Sequence, residues 1–245
     1  MALSEELSAI VEQIRQSLDA KNRARDLALQ RSRTLVRLCA HAIRATHREE
    51  WPEALVLMEQ ARLEADALVT DLQPFPDLYY SGYAQDALKE FVEANLTYAV
   101  IRDQPLPSLA ALRVEPATFL GGLSEAATEL RRRILDIVRQ QHDSEAERLL
   151  EAMDAVYDEL ITVDFPDAIT DGLRRRTDVL RGVLERTRGD VTNSLRQHGL
   201  QSALRDVERR LCQPDHGLEG RGSDNTAAWG DQTSEVGPII CGPAD

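Results

Sequence analysis

Apolar residues recur at three-and-four spacing from residue 3 to about 46 without a single Gly or Pro, which predicts one helix of unusual length for a globular domain. Pro52 follows Trp51 and fits the first turn of a second helix, EALVLMEQARLEADALVTDL. The stretch QPFPDLYYSG (73–82) interrupts the pattern, and a third helix is expected from Tyr83 to Ile101. The Pro-punctuated connection DQPLPSLAALRVEP leads to a fourth, starting at Pro116 and reaching about Gln141. Asp143 or Ser144 opens a fifth, SEAERLLEAMDAVYDELITV. After DFPD, Thr170 is positioned to cap a last long helix, DGLRRRTDVLRGVLERTRGDVTNSLRQ. No segment alternates as a strand, so the expected fold is all-α, a single antiparallel bundle with long first and last helices. From Cys212 the texture turns to Gly, Pro, Asp and Ser without helical period, so residues 1–211 are read as the helical domain and 212–245 as a disordered acidic tail. The short apolar GPIICG within that tail is read as a passenger.

Two helices carry acids where half-buried helices rarely do. In DALKEFVEANLTYAV, Glu90 and Glu93 lie among Leu88, Phe91, Val92 and Leu96, with no base evidently spaced to neutralise both. In LGGLSEAATELRRRIL, Glu125 and Glu129 repeat the arrangement beside an apolar face. Like charges at i, i+3 or i, i+4 cost about 0.2–0.5 kcal/mol per pair, which an exposed stripe tolerates. Solvated surface is one reading. The other is that the four carboxylates face each other and supply hard oxygen ligands to Mg²⁺ or Mn²⁺, which would activate water for in-line attack on a phosphate. Gly121 and Gly122, one turn before Glu125, would let a partner helix or a substrate backbone approach closely, or serve packing alone. His41, His47, His142, His198 and His216 are scattered without i, i+4 pairing, which argues against a histidine metal site or general base. Glu151, Asp154 and Asp158 are read as surface.

Composition changes the picture in three ways. The formal net charge of −13 speaks against nucleic-acid binding, which needs clustered Lys and Arg. Of the 29 basic residues, however, only Lys21 and Lys89 are lysines. High acid with almost no Lys fits a halophilic archaeon, although a GC-rich genome produces the same bias, and molar salt would screen the unfavourable charge. Cys39, Cys212 and Cys241 form no CxxC motif and point to a reducing cytoplasm. The N-terminus MALSEELSAIVEQI lacks the basic start of a secretory signal, and no run approaches a membrane span.

LKEFVEA followed by FLGGLSEAATELRR resembles the translin family, within it the translin-associated factor X branch, whose corresponding segments are QEYVEA-like and of the form LLGVADLTGELMR. Glu90 and Glu93 match the acids of the first segment, Glu125 takes the place of Asp in the second, and Glu129 matches its Glu. AVYDELITVDFPDAITDGLRRRTDVLRGVLERTRGDVT is similar to the closing part of archaeal members, and the resemblance runs from about residue 5 to 211. It implies an all-α protomer of about seven helices, assembled into a closed homo-oligomer of about six to eight subunits that handles RNA or single-stranded DNA. It further implies that Glu90, Glu93, Glu125 and Glu129 form a metal-dependent endoribonuclease centre; the longer side chain of Glu125 keeps the ligand charge. The basic segment through which eukaryotic translin contacts nucleic acid has no counterpart before Glu90. RNA contact is therefore assigned to Arg131, Arg132, Arg133, Arg174, Arg175 and Arg176, which could equally form salt-bridged helix faces. A non-catalytic binding scaffold and a purely structural helical protein are the alternatives.

Overall fold

The computed structural model describes residues 2–140 and 143–212, and the tail expected to be disordered lies, but for Cys212, outside them. Six long helices carry the described residues: α1 (Ala2–His47), α2 (Trp51–Leu72), α4 (Gly82–Ile101), α6 (Pro116–Val138), α7 (Asp143–Leu160) and α9 (Leu173–Leu211). Three single turns stand between them, α3 (Pro76–Tyr79), α5 (Leu109–Leu112) and α8 (Asp167–Thr170), and no strand occurs among the described residues. The expected all-α class holds. No helix among the described residues is long and apolar enough to cross a membrane.

Local chemistry explains the stops. At the end of α1, Glu49 adopts a left-handed φ of 61°. Its N–H donates to Thr46 O and that of Glu50 to Ala45 O, the paired bonds that close a helix and reverse the chain into α2. Asp103 (φ 52°) ends α4 in the same way, with Gln104 N–H donating to Ala99 O. The two Pro-rich breaks each hold one helical turn, α5 being capped by Ser108 Oγ accepting from Ala111 N at 3.1 Å.

Thr170 does not cap the last helix. It closes α8, its Oγ1 donating to Pro166 O, and the left-handed Asp171 (φ 51°) and Gly172 (φ 74°) intervene before α9. Two consecutive left-handed residues cannot continue a right-handed helix, so α9 starts at Leu173. The fourth predicted helix likewise stops at Val138, short of Gln141.

The chain divides into two units, Met1–Ser194 and Leu195–Asp245. In the first, α4 packs against α1, α2 and α6, and α6 against α7. Helix α4 is buried on most of its surface, with Leu88, Phe91, Val92 and Leu96 in the core beside Leu35 and Cys39 of α1 and Leu68 and Leu72 of α2. Side chains of this size contribute about 1.5–3 kcal/mol each when fully buried. Helix α9 enters the core through Leu173, Thr177, Leu180, Leu184, Thr187 and Val191, a four-three alternation. The first part of α1 has no such cover: Leu3, Leu7, Ile10 and Ile14 are each at least half exposed. In the second unit the described residues are the end of α9, where Leu200, Leu204, Val207 and Leu211 are exposed at the same spacing.

Candidate metal centre

A close approach of α4 and α6 builds the site. At Gly122 a Cβ would lie 2.6 Å from Val92 Cβ and 2.9 Å from the Lys89 carbonyl, closer than any side chain tolerates. Glycine at this position therefore permits the two helices to touch, which is the packing reading of the pair. The same contact sets Glu90 and Glu93 of α4 beside Glu125 of α6. Each of these three partly buried acids offers one carboxylate oxygen, and the three oxygens lie within 4.8 Å of one another.

Glu129, one turn further along α6, is not in that triad. Its Oε1 lies 2.7 Å from Nε2 of His47, a buried residue in the last turn of α1. With Glu129 ionised, Nε2–H donates this bond, and His47 Nδ1 has no hydrogen-bond partner. Glu129 nevertheless borders the same opening as Glu93 and Glu125, a cavity of about 490 Å³ whose other wall carries Asp171, Gly172, Arg175 and Arg176. His47 was missed by sequence reasoning because its partner is 82 residues away rather than one turn along its own helix.

No base neutralises both Glu90 and Glu93, but two cations reach the neighbouring acids. Lys89 Nζ lies 2.8 Å from Glu125 Oε1 and 3.9 Å from Glu90 Oε1, and Arg176 Nη1 reaches Glu125 Oε1 at 2.6 Å from α9. The two contacts to Glu125 cross between helices, where spacing along one helix carries no signal. Glu93 has no such partner among the described residues. Burial, reinforced by the charges of Glu90, Glu125 and Glu129, pushes its carboxyl up to about 8 against an ordinary 4.5. Burial also raises Glu90, Lys89 opposing the rise and Glu125 and Asp86 adding to it. Cys39 of α1 is buried, and burial followed by the charges of Glu90 and Glu93 drives its thiol far above the usual range. The donors on offer are thus hard carboxylate oxygens, a set that fits a hard divalent cation.

The six arginines separate by environment. Arg133 is 6% exposed and gives Nη1 to Glu49 at 2.8 Å and Nη2 to Glu145 at 3.1 Å, which withdraws it from any nucleic acid. Arg131 bonds Asp190 and Thr187 of α9. Arg174 is exposed beside Asp164, and Arg132, also exposed, stands 3.8 Å from Glu129. Only Arg175 and Arg176 of the six border the cavity lined by Glu93, Glu125 and Glu129.

No family model matches the chain. It is 30% identical over 198 residues to the uncharacterized protein MJ0175 of Methanocaldococcus jannaschii, covering 79% of this chain and 86% of the relative. The structure of AfC3PO in complex with duplex RNA is 31% identical, with a TM-score of 0.71 over 75% of this chain and 95% of that one. The chain belongs to the translin/C3PO family. Apo-NeC3PO, at 20% identity and a TM-score of 0.70, shares the fold. In this family member the carboxylate triad and the arginine wall occupy the first unit, before Ser194.

Proposed function

We propose that this protein is a Mg²⁺- or Mn²⁺-dependent endoribonuclease of the factor X branch, of archaeal type, cleaving single-stranded or structured RNA. The observation that carries this reading is the convergence of Glu90, Glu93 and Glu125 oxygens within 4.8 Å, with no cation paired to Glu93 among the described residues. Three carboxylates, two of them raised by burial, are costly to hold together unless a cation completes the cluster. Glu90, Glu93 and Glu125 would hold the ion, with Glu129 steadied beside them by His47. A divalent ion so held supplies charge neutralisation at the scissile phosphate and lowers the pKa of water. Arg175, on the cavity wall, would receive phosphate oxygens, beside an Arg176 held by Glu125 and Asp171. The RNA complex of AfC3PO supports RNA, rather than single-stranded DNA alone, as the ligand class.

A second reading has an observation of its own. Lys89 and Arg176 already neutralise Glu125, as a scaffold that binds RNA without cutting it would allow. Labelled single-stranded RNA incubated with Mn²⁺, and in parallel with EDTA, separates the two. Cleavage with Mn²⁺ that EDTA abolishes supports the nuclease. Tight binding with no cleavage in either tube supports the scaffold.

The assembly proposed is a homo-oligomer in the cytoplasm of a halophilic archaeon, with 1–211 as its helical body. Its support is the pair of uncovered stripes, Leu3–Leu7–Ile10–Ile14 and Leu200–Leu204–Val207–Leu211, which share one four-three-four spacing.

A further inference from the structure

One oxygen, Glu125 Oε1, accepts from two cations at once, Lys89 Nζ at 2.8 Å and Arg176 Nη1 at 2.6 Å. The two cations are anchored differently. Arg176 arrives from α9 and also stands 3.6 Å from Asp171, so its guanidinium is tied to a second carboxylate outside the triad. Lys89 arrives from α4 itself, one residue before Glu90, and its second neighbour is Glu90 Oε1 at 3.9 Å. Its ammonium thus lies between two of the three carboxylates that converge. The position is built rather than incidental. The Lys89 side chain is only 14% exposed, and at Gly121 a Cβ would come 3.3 Å from its Cδ, so glycine leaves room for the stem.

We propose that Lys89 is a resident counter-ion of the carboxylate cluster, competing with a divalent cation for Glu90 and Glu125 and thereby setting the affinity of the site. This rests on the metal reading of the cluster. An ammonium is a compact point charge on a flexible four-carbon stem, so it can withdraw along its stem when a doubly charged ion takes its place. A unit charge and a divalent ion sharing the same two carboxylates repel each other strongly at this separation, even with an effective dielectric constant of about 20. In the absence of metal the same ammonium relieves repulsion among the acids and supports the α4–α6 contact. Lys89 thus makes the metal-free fold tolerable at the expense of cation affinity.

The test is Mn²⁺ binding to the full chain by titration calorimetry at fixed ionic strength, with Lys89→Gln and Lys89→Arg beside the parent. Lys89→Gln removes the charge and keeps a polar stem. It should tighten Mn²⁺ binding by about tenfold or more, lower the melting temperature in EDTA, and enlarge the melting shift that Mn²⁺ produces. Lys89→Arg keeps the charge on a bulkier fork that withdraws less readily, and should bind Mn²⁺ no more tightly than the parent. If Lys89 instead orients Glu125 for the cation, Lys89→Gln will bind Mn²⁺ more weakly, and the proposal falls. Equal tightening in both variants, or none in Lys89→Gln, also overturns it while leaving the metal reading intact. Absence of Mn²⁺ binding in all three proteins removes the metal reading and this proposal together.

Discussion

Glu93 makes the fold itself sensitive to pH. Its carboxyl titrates near 8 in the fold against 4.5 ordinarily, chiefly through burial and then through Glu90, Glu125 and Glu129. Between those values the folded chain binds more protons than the unfolded one, so stability falls as pH rises. The contribution is fully present below pH 4.5 and lost above about 8. At about 1.36 kcal/mol per unit the displacement corresponds to roughly 5 kcal/mol. Because the carboxyl borders an open cavity, solvent reduces this to a working figure of about 3 kcal/mol. Domain stabilities are about 5–15 kcal/mol, so the effect is large enough to measure. Glu93→Gln mimics the protonated side chain at every pH. In urea unfolding with EDTA the variant should match the parent near pH 4.5 and exceed it by about 3 kcal/mol at pH 9. Glu90, also raised, interacts with Glu93 and will spread the change across the window. Metal binding near pH 7 should release close to one proton per ion, because the carboxylate must ionise to ligate. A stability gap between variant and parent that does not change with pH would refute the reasoning, since it would place Glu93 in water.

Glu129→Gln should leave folding intact and lower Mn²⁺-dependent RNA cleavage by about two orders of magnitude or more, read from single-turnover rates, because it removes a negative charge at the cavity wall. Gly122→Ala must displace either Val92 or the Lys89 backbone, and should cost about 1–3 kcal/mol in thermal unfolding and weaken Mn²⁺ binding by separating α4 from α6. Arg133→Ala should destabilise the fold by about 1–3 kcal/mol through lost charge-assisted hydrogen bonds and packing, since Glu49 and Glu145 keep access to water, whereas Arg175→Ala should leave stability alone, weaken RNA binding and reduce its salt slope by about one. Leu7→Glu or Leu204→Glu should shift sedimentation towards smaller species if the exposed stripes join subunits; unchanged particles would assign assembly to other surfaces.

The order and near-ends of the long helices, apart from the last, which runs past Gln197 to Leu211, were legible in the residues alone, because helix periodicity and Pro are local signals that hydrogen bonding within each segment obeys. The acids at Glu90, Glu93 and Glu125 stood out for the same local reason, as charges on helices otherwise committed to a core. Tertiary contact decided what surrounds them. Lys89 and Arg176 meet Glu125 across 36 and 51 residues, and His47 meets Glu129 across 82, distances at which side-chain spacing along one helix says nothing. The arginine runs show the same division. Arg131, Arg132 and Arg133 are identical in local sequence texture, yet helix rotation sends Arg133 into the core, Arg131 to α9 and Arg132 to solvent. Each successive residue turns about 100° around the axis, so only the packing of α6 against its neighbours determines which arginine is free.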